Sequence, residues 1–257
     1  MKNRVAIIGM GQIGSRHLQE LIKCNIPLEI FAIDPNQKSL ILSENRMKEV
    51  SLPSNIHHVN FSNSCDCLAG EVIDLVILST SSEGRADLIS RLSKQIDVRY
   101  WVLEKVLAQS SYELTKILNL LKNCSGAWVN TPRRTMNWYK EIVKTSPKDS
   151  IVDCLVTGEE WGLACNAVHF LDLVTWLSGA QVEKIQTENL APKWHKSKRE
   201  GYWEIFGSLR AIYSNGSTLT LKCVPKKEEF KISIKSNDNE WIIKEQEGRA
   251  NKNDGTS

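Results

Sequence analysis

A chain of 257 residues, 41% apolar and 25% charged, can bury a substantial core and divides into one large or two smaller domains. Its 33 basic and 30 acidic residues leave a net charge of +3, a balance that excludes charge-driven binding to nucleic acid or a membrane surface as the leading reading. Seven cysteines without a CxxC pair exclude a disulfide scaffold and read as reduced thiols; neither an export signal nor a long apolar span is expected, so the protein is assigned to the cytoplasm.

The first half alternates β-rich runs with helical periods. Residues 4–9 (RVAIIG), 28–34 (LEIFAID), 57–61 (HHVNF), 72–80 (VIDLVILST), 98–105 (VRYWVLEK) and 126–130 (GAWVN) are predicted strands, several nearly continuous in apolar residues, as strands buried on both faces are. Between most of them run 3.6-residue periods, as in GSRHLQELIK, GRADLISRLSK and SYELTKILNLLKN. This is the βαβ rhythm of a doubly wound parallel sheet. The pattern changes near NTPRR, 130–134. Beyond it, WGLACNAVHFLDLVTWLSG (161–179) reads as an amphipathic helix, followed by AQVEKIQTENL, IFGSLRAIYSNGSTLTLKCV and EEFKISIKSNDNEWIIKEQ. The last two turn at Asn215-Gly216 and at 237–239, which makes them hairpins of an antiparallel sheet.

Gly9, Gly11 and Gly14 form GxGxxG between the first strand and the first helix. The first glycine permits a tight turn, the second lets main chain approach a pyrophosphate, and the third allows close helix-to-strand packing at a helix N-terminus that favours anions. Asp34 follows twenty residues after Gly14, at the end of the second strand, where a carboxylate bonds the ribose hydroxyls and repels a 2′-phosphate. An S-adenosylmethionine methyltransferase also uses such a turn. The companion signal is Glu104-Lys105 at the end of the fifth strand, on the carboxyl edge of the sheet where ligands of open α/β folds bind.

Taken in order, VAIIGMGQIGSRH, DLVILSTSSEGRADL, VLEKVLAQS, WVNTPRR and GLACNAVHFLDL resemble the glucose-fructose oxidoreductase, inositol dehydrogenase and rhizopine-catabolism (Gfo/Idh/MocA) oxidoreductases. The resemblance implies an N-terminal Rossmann dinucleotide-binding domain, assigned to 1–125, and a smaller α+β domain with an open antiparallel sheet, assigned to 126–247. The second domain is expected to serve substrate binding and oligomerisation, with a polar tail over 248–257. The family's Glu-Lys-Pro motif falls on Glu104, Lys105 and Val106, and its DxGxHxxD motif on Cys165, Ala167, His169 and Asp172. Because Val106 stands in place of proline, the cis peptide common there is not expected, since a non-proline cis bond costs about 3 kcal/mol.

The resemblance assigns NAD to Gly9, Gly11, Gln12, Ile13, Gly14, Asp34, Ser79, Thr80, Arg85, Glu104 and Lys105. Catalysis falls to Lys105, His169 and Asp172, and substrate binding to Lys105, Arg133, Arg134, Asn166 and His169; no metal site is assigned. His169 and Asp172 are i, i+3 on one helix, so the carboxylate is expected to orient the imidazole. Cys165 replaces the family's usual aspartate, with Asn166 beside it as a polar substitute. Arg133 and Arg134 offer guanidinium groups for a carboxylate or phosphate, or form surface ion pairs. The basic, aromatic stretch APKWHKSKREGYW (191–203) reads as a solvated loop or as a receiver of an anionic or sugar substrate. The function expected is NAD(H)-linked oxidoreduction of a sugar, sugar derivative or sugar nucleotide, in surface-polysaccharide or acidic-sugar synthesis. The alternative is a silent nucleotide-binding regulator or partner subunit. A homodimer or larger homo-oligomer is expected, built through the sheet face that this short second domain leaves uncovered.

Overall fold

The chain divides into two units, Met1–Asn130 and Thr131–Ser257, and the computed structural model describes residues 2–50, 56–147, 150–237 and 239–253. The first unit contains β1 (Asn3–Ile8), α1 (Gln12–Leu21), β2 (Leu28–Ile33), α2 (Gln37–Lys48), β3 (Ile56–Ser62), β4 (Val72–Leu78), α3 (Arg85–Gln95), β5 (Asp97–Leu103), α4 (Ser111–Leu121) and β6 (Gly126–Val129). All six strands pair in parallel in the order β3-β2-β1-β4-β5-β6. The apolar runs have a simple cause: alternate side chains enter two different cores. Val5 and Ile7 pack with Leu18 of α1 and Leu40 of α2. Ala6 and Ile8 pack on the other face with Ile89 and Leu92 of α3 and Ile117 of α4. The strand order reverses between β1 and β4, which opens a crevice at the carboxyl ends of these strands.

The second unit contains α5 (Asn137–Thr145), β7 (Val152–Glu159), α6 (Leu163–Ser178), β8 (Val182–Leu190), β9 (His195–Lys196), β10 (Trp203–Glu204), β11 (Gly207–Tyr213), β12 (Thr218–Val224), β13 (Lys231–Ser236), β14 (Asn239–Lys244) and β15 (Arg249–Asn253). Seven strands form one sheet, β15-β14-β13-β7-β12-β11-β8, and β9 pairs with β10 apart from it. Phe170, Leu173, Val174 and Leu177 of α6, at i, i+3, i+4 and i+7, pack with Cys154 and Val156 of β7 and Leu219 and Leu221 of β12.

The structure corrects the sequence reading in four places. β6 belongs to the first sheet through β5, so the division follows Asn130 and not residue 125. Residues 249–253 form β15 against β14; of the expected tail, 254–257 lie outside the described residues. The second sheet is mixed, because β7 and β12 are parallel. The α6 connection sends β8 off in the direction of β7, and the β11–β12 hairpin then enters between them. Finally, the face away from α6 is mostly polar. Asp153, Leu155 and Thr157 of β7 stand in register with Thr218, Thr220 and Lys222 of β12 and with Lys235, Ser233 and Lys231 of β13. Among the described residues, these three strands therefore do not present on that face the continuous apolar surface invoked for self-association. No helix among the described residues is long and apolar enough to cross a membrane.

Candidate functional site

The first βα turn is built by contact limits. Gly9 has φ +95°, and a Cβ there would meet the Ser79 carbonyl carbon at 2.9 Å; a Cβ at Gly14 would lie 1.9 Å from the Gly9 carbonyl oxygen. These two glycines are therefore required for the strand and helix to approach. Gly11 differs, because a Cβ on it would have nothing within 4 Å. It is the residue preceding α1 and offers no side-chain cap, so it leaves the first-turn N–H groups, at the positive end of the helix dipole, available to an anion. Asp34 closes the far side. Its Oδ2 accepts from the Met10 N–H at 2.7 Å and its Oδ1 from the Asn36 N–H at 2.8 Å, which fixes the carboxylate while leaving lone pairs on both oxygens. The Ser79 hydroxyl, just after β4, is buried without a partner among the described residues. An uncapped helix start, an open glycine, a fixed carboxylate and an unsatisfied hydroxyl fit a dinucleotide. Gln12 contributes main chain at this turn, since its side-chain oxygen accepts from Arg46 at 2.6 Å.

At the end of β5, Glu104 is 8% exposed. Its Oε1 accepts from Asn130 at 2.6 Å and meets His17 Nε2, one turn along α1 from Gly14, at 2.9 Å. Burial raises the Glu104 carboxyl, but the His17 and Asn130 hydrogen bonds outweigh it and hold the group below its ordinary value. Lys105 follows, half-buried. The Lys105–Val106 peptide is cis, contrary to expectation. The carbonyls on either side of it are gathered by Arg85. Arg85 is 1% exposed and donates to the carbonyls of Glu104, Val106, Leu107 and Thr80. It was expected at the cofactor; instead, both terminal nitrogens of its guanidinium are engaged with main chain. Thr80 contributes that carbonyl, while its hydroxyl donates to Ser81 O at 3.2 Å.

In the second unit, His169 on α6 is 8% exposed. Asp172 receives the guanidinium fork of Arg134 through both oxygens, with Nε to Oδ2 at 2.7 Å; the carboxylate expected to orient His169 is engaged by an arginine. Arg133 forks onto Glu245 at 2.9 and 2.7 Å and lies 4.1 Å over the Phe170 ring. It holds two segments of this unit together, the surface-pair reading made stronger by burial. Asn166 spends its amide N–H groups on the carbonyls of Trp161 and Gly162.

The residue sequence reasoning missed here is Glu204 of β10. Its carboxylate accepts the first-turn N–H groups of α6, from Ala164 at 2.8 Å and Cys165 at 3.2 Å. A cavity of about 360 Å³ opens beside it, lined by Trp161, Cys165, Asn166, His195, Arg199 and Glu204 among others. The stretch 191–203 thus forms one wall of a cavity through its short β9–β10 pair, with the His195 ring stacked on Phe206 at 4.0 Å. Glu204 lies about forty residues from the groups it caps, so no local spacing reveals it.

No family model matches the sequence, and no curated protein matches it. Solved structures do. The WlbA dehydrogenase of Chromobacterium violaceum, in complex with NADH and UDP-GlcNAcA, matches with TM-score 0.68 at 19% identity over 94% of this chain and 74% of that one. The UDP-N-acetylglucosamine 3-dehydrogenase GnnA of Acidithiobacillus ferrooxidans matches with TM-score 0.73 at 13% identity over 98% and 80%. The transcriptional regulator Gal80p of Kluyveromyces lactis matches with TM-score 0.65 at 13% identity over 94% and 71%. The chain therefore has the two-domain fold of Gfo/Idh/MocA-type dehydrogenases.

Proposed function

We propose that the protein is a cytoplasmic NAD(H)-dependent oxidoreductase acting on a CH–OH group of a sugar or sugar nucleotide, in polysaccharide or acidic-sugar synthesis. The observation that carries this reading is the first turn, where the uncapped α1 start and Gly11 face open space beside the fixed carboxylate of Asp34. The α1 N–H groups would hold the pyrophosphate and Asp34 the adenosine ribose, so NAD(H) is favoured over NADP(H). Bound there, the dinucleotide supplies a hydride acceptor or donor. Lys105, at the carboxyl edge of the sheet, would stabilise negative charge on the reacting oxygen, and in the oxidative direction His169 would take the hydroxyl proton. The cavity at the start of α6 suits a sugar: Glu204 supplies a carboxylate for hydroxyls, and Lys196, Lys198 and Arg199 supply charge for an anionic substituent. Among the neighbours, WlbA bound to NADH and UDP-GlcNAcA is of this type. Self-association as a homodimer or larger remains part of the proposal, without the apolar face first invoked for it.

The test is a screen of sugars and sugar nucleotides followed by NADH absorbance, with NAD(H) and NADP(H) affinities measured by titration. Lys105→Met and His169→Ala are each expected to lower turnover about a hundredfold or more with NADH affinity nearly intact; Asp34→Ser narrows the preference for NAD(H). A second reading, a regulator that binds the dinucleotide without turnover, draws on the Gal80p likeness and on the engagement of Asp172 by Arg134. NADH binding with no turnover on any sugar in the screen would favour it.

A further inference from the structure

We propose that Arg85 is a positioning residue for Lys105: its guanidinium gathers main-chain carbonyls from both sides of that lysine and so fixes where the ammonium is presented. The inference rests on the role given to Lys105 above. Arg85 is the first residue of α3 and is 1% exposed. Its Nη1 donates to the carbonyl of Glu104, to that of Val106 at 2.7 Å and to that of Leu107 at 3.0 Å. A single guanidinium nitrogen carries two hydrogens, so one of them is shared. Nη2 donates to the carbonyl of Thr80, at the end of the neighbouring strand. One side chain thereby braces the loops that follow both β4 and β5, on the crevice edge of the sheet.

The chemistry asks for this residue type. Three carbonyls from residues 104–107 converge on one point, and their negative ends repel one another unless a cation sits between them. Burying a cation is costly and is offset only when its donors are well satisfied. A guanidinium stays charged, is planar, and reaches two separate strand ends with its fork. A lysine brings one compact ammonium on a flexible stem, so Arg85→Lys keeps the charge and loses the geometry. If Arg85 were only a fastener for the fold, its loss would appear in stability and leave the behaviour of the Lys105 ammonium unchanged.

The experiment compares wild type with Arg85→Lys, Arg85→Ala and Lys105→Met, reading four quantities: circular dichroism, NADH affinity, kcat with KM, and the rate at which an amine-reactive reagent labels Lys105 as a function of pH, by peptide mass spectrometry. The exposed Lys144 serves as internal reference. Arg85→Lys is expected to be folded, to bind NADH within about threefold of wild type, to lose at least about tenfold in kcat with little change in KM, and to shift the Lys105 labelling profile while Lys144 is unchanged. In Arg85→Ala, about 10 mM methylguanidinium restores part of kcat and of the labelling profile, whereas methylammonium does not. If Lys105→Met abolishes turnover while Arg85→Lys keeps wild-type kcat and wild-type labelling, the proposal is overturned. If Lys105→Met is active, or wild type turns over no sugar, the oxidoreductase reading of Lys105 has failed separately. The labelling profile then decides alone: a shift in Arg85→Lys upholds the positioning role and an unchanged profile removes it.

Discussion

Replacing Glu245 with alanine separates the two roles assigned to Arg133. In the structure Glu245 takes the Arg133 fork at 2.9 and 2.7 Å and the Tyr139 hydroxyl at 2.7 Å, and the side chains of the ion pair are only 13% and 15% exposed. Removing the carboxylate strands a guanidinium and a phenol in the interior. Breaking a buried pair from one side costs about 3–5 kcal/mol, and the lost Tyr139 bond adds about 1 kcal/mol. The Phe170 face, 4.1 Å from the guanidinium, survives and offsets about 1 kcal/mol. The expected loss is therefore about 3–5 kcal/mol, which at roughly 3–5 °C per kcal/mol lowers Tm by roughly 9–25 °C. Urea unfolding followed by tryptophan fluorescence measures it, since Trp138 and Trp161 both pack against this core. A companion, Arg133→Met with Glu245→Leu, removes both charges and should cost less than the single change. A Glu245→Ala loss below about 1 kcal/mol, or a double variant as damaged as the single, would falsify the view that Arg133 is a lock within the second unit and restore it as a substrate ligand.

Two glycines of one motif should fail in different ways. Gly14→Ala pushes a Cβ to 1.9 Å from the Gly9 carbonyl and is expected to destabilise the first unit by several kcal/mol, whereas Gly11→Ala should leave unfolding unchanged and weaken NAD(H) at least about tenfold, by blocking the approach to the pyrophosphate. Equal effects of both on stability, or no effect of Gly11→Ala on affinity, would contradict this division. Glu104 gives a pH dependence: its carboxyl is held below the ordinary 4.5, so its contribution is complete above that value and is lost as the pH falls through the depressed one. The stability gap between wild type and Glu104→Gln should be widest above the ordinary carboxylate range and close as the pH falls below it; a gap independent of pH would show that the His17 and Asn130 bonds do not act on the charged form.

Local pattern made the first unit legible. Val5 to Ile8 alternate between two cores and read as one buried strand because both faces are covered, and GxGxxG announces its own geometry because Gly14 must clear the Gly9 carbonyl five residues back. The α6 helix was legible for the same reason. What escaped was set by partners distant in sequence. β15 is the polar run RANKN, which no periodicity marks, and it is a strand because β14 offers it an edge. Glu204 and Glu245 sit among ordinary surface residues in the sequence, yet each fills a donor set some 39 and 112 positions away. Asp172 stands i, i+3 from His169 as a helix dictates, but the Arg134 fork, 38 residues upstream, claims its oxygens. At Lys105–Val106, the residue type argued for a trans bond, and the bond is cis.

The position of β7 at the middle of its sheet governs how the second unit is assembled. β7 is the first strand of that unit to be synthesised, and both its neighbours come late: β12 pairs with it across a gap of 65 residues, Asp153 to Thr218, and β13 across 74 to 84, Thr157 to Lys231 and Val152 to Ser236. Until residues 218–236 have left the ribosome, β7 exposes two unpaired edges and α6 has only part of its platform. Closure of such long loops must precede any reward from pairing, which places this unit among the slower, high-contact-order folders. In the first unit β1 waits as long for one neighbour, β4, with Val5 to Leu75 across 70 residues, but gains the other, β2, within 25, Asn3 to Leu28. During synthesis, therefore, the dinucleotide seat can be finished while the α6 half still awaits its central pairing, and any stall in translation between 160 and 218 leaves a chain with one completed half and one aggregation-prone strand.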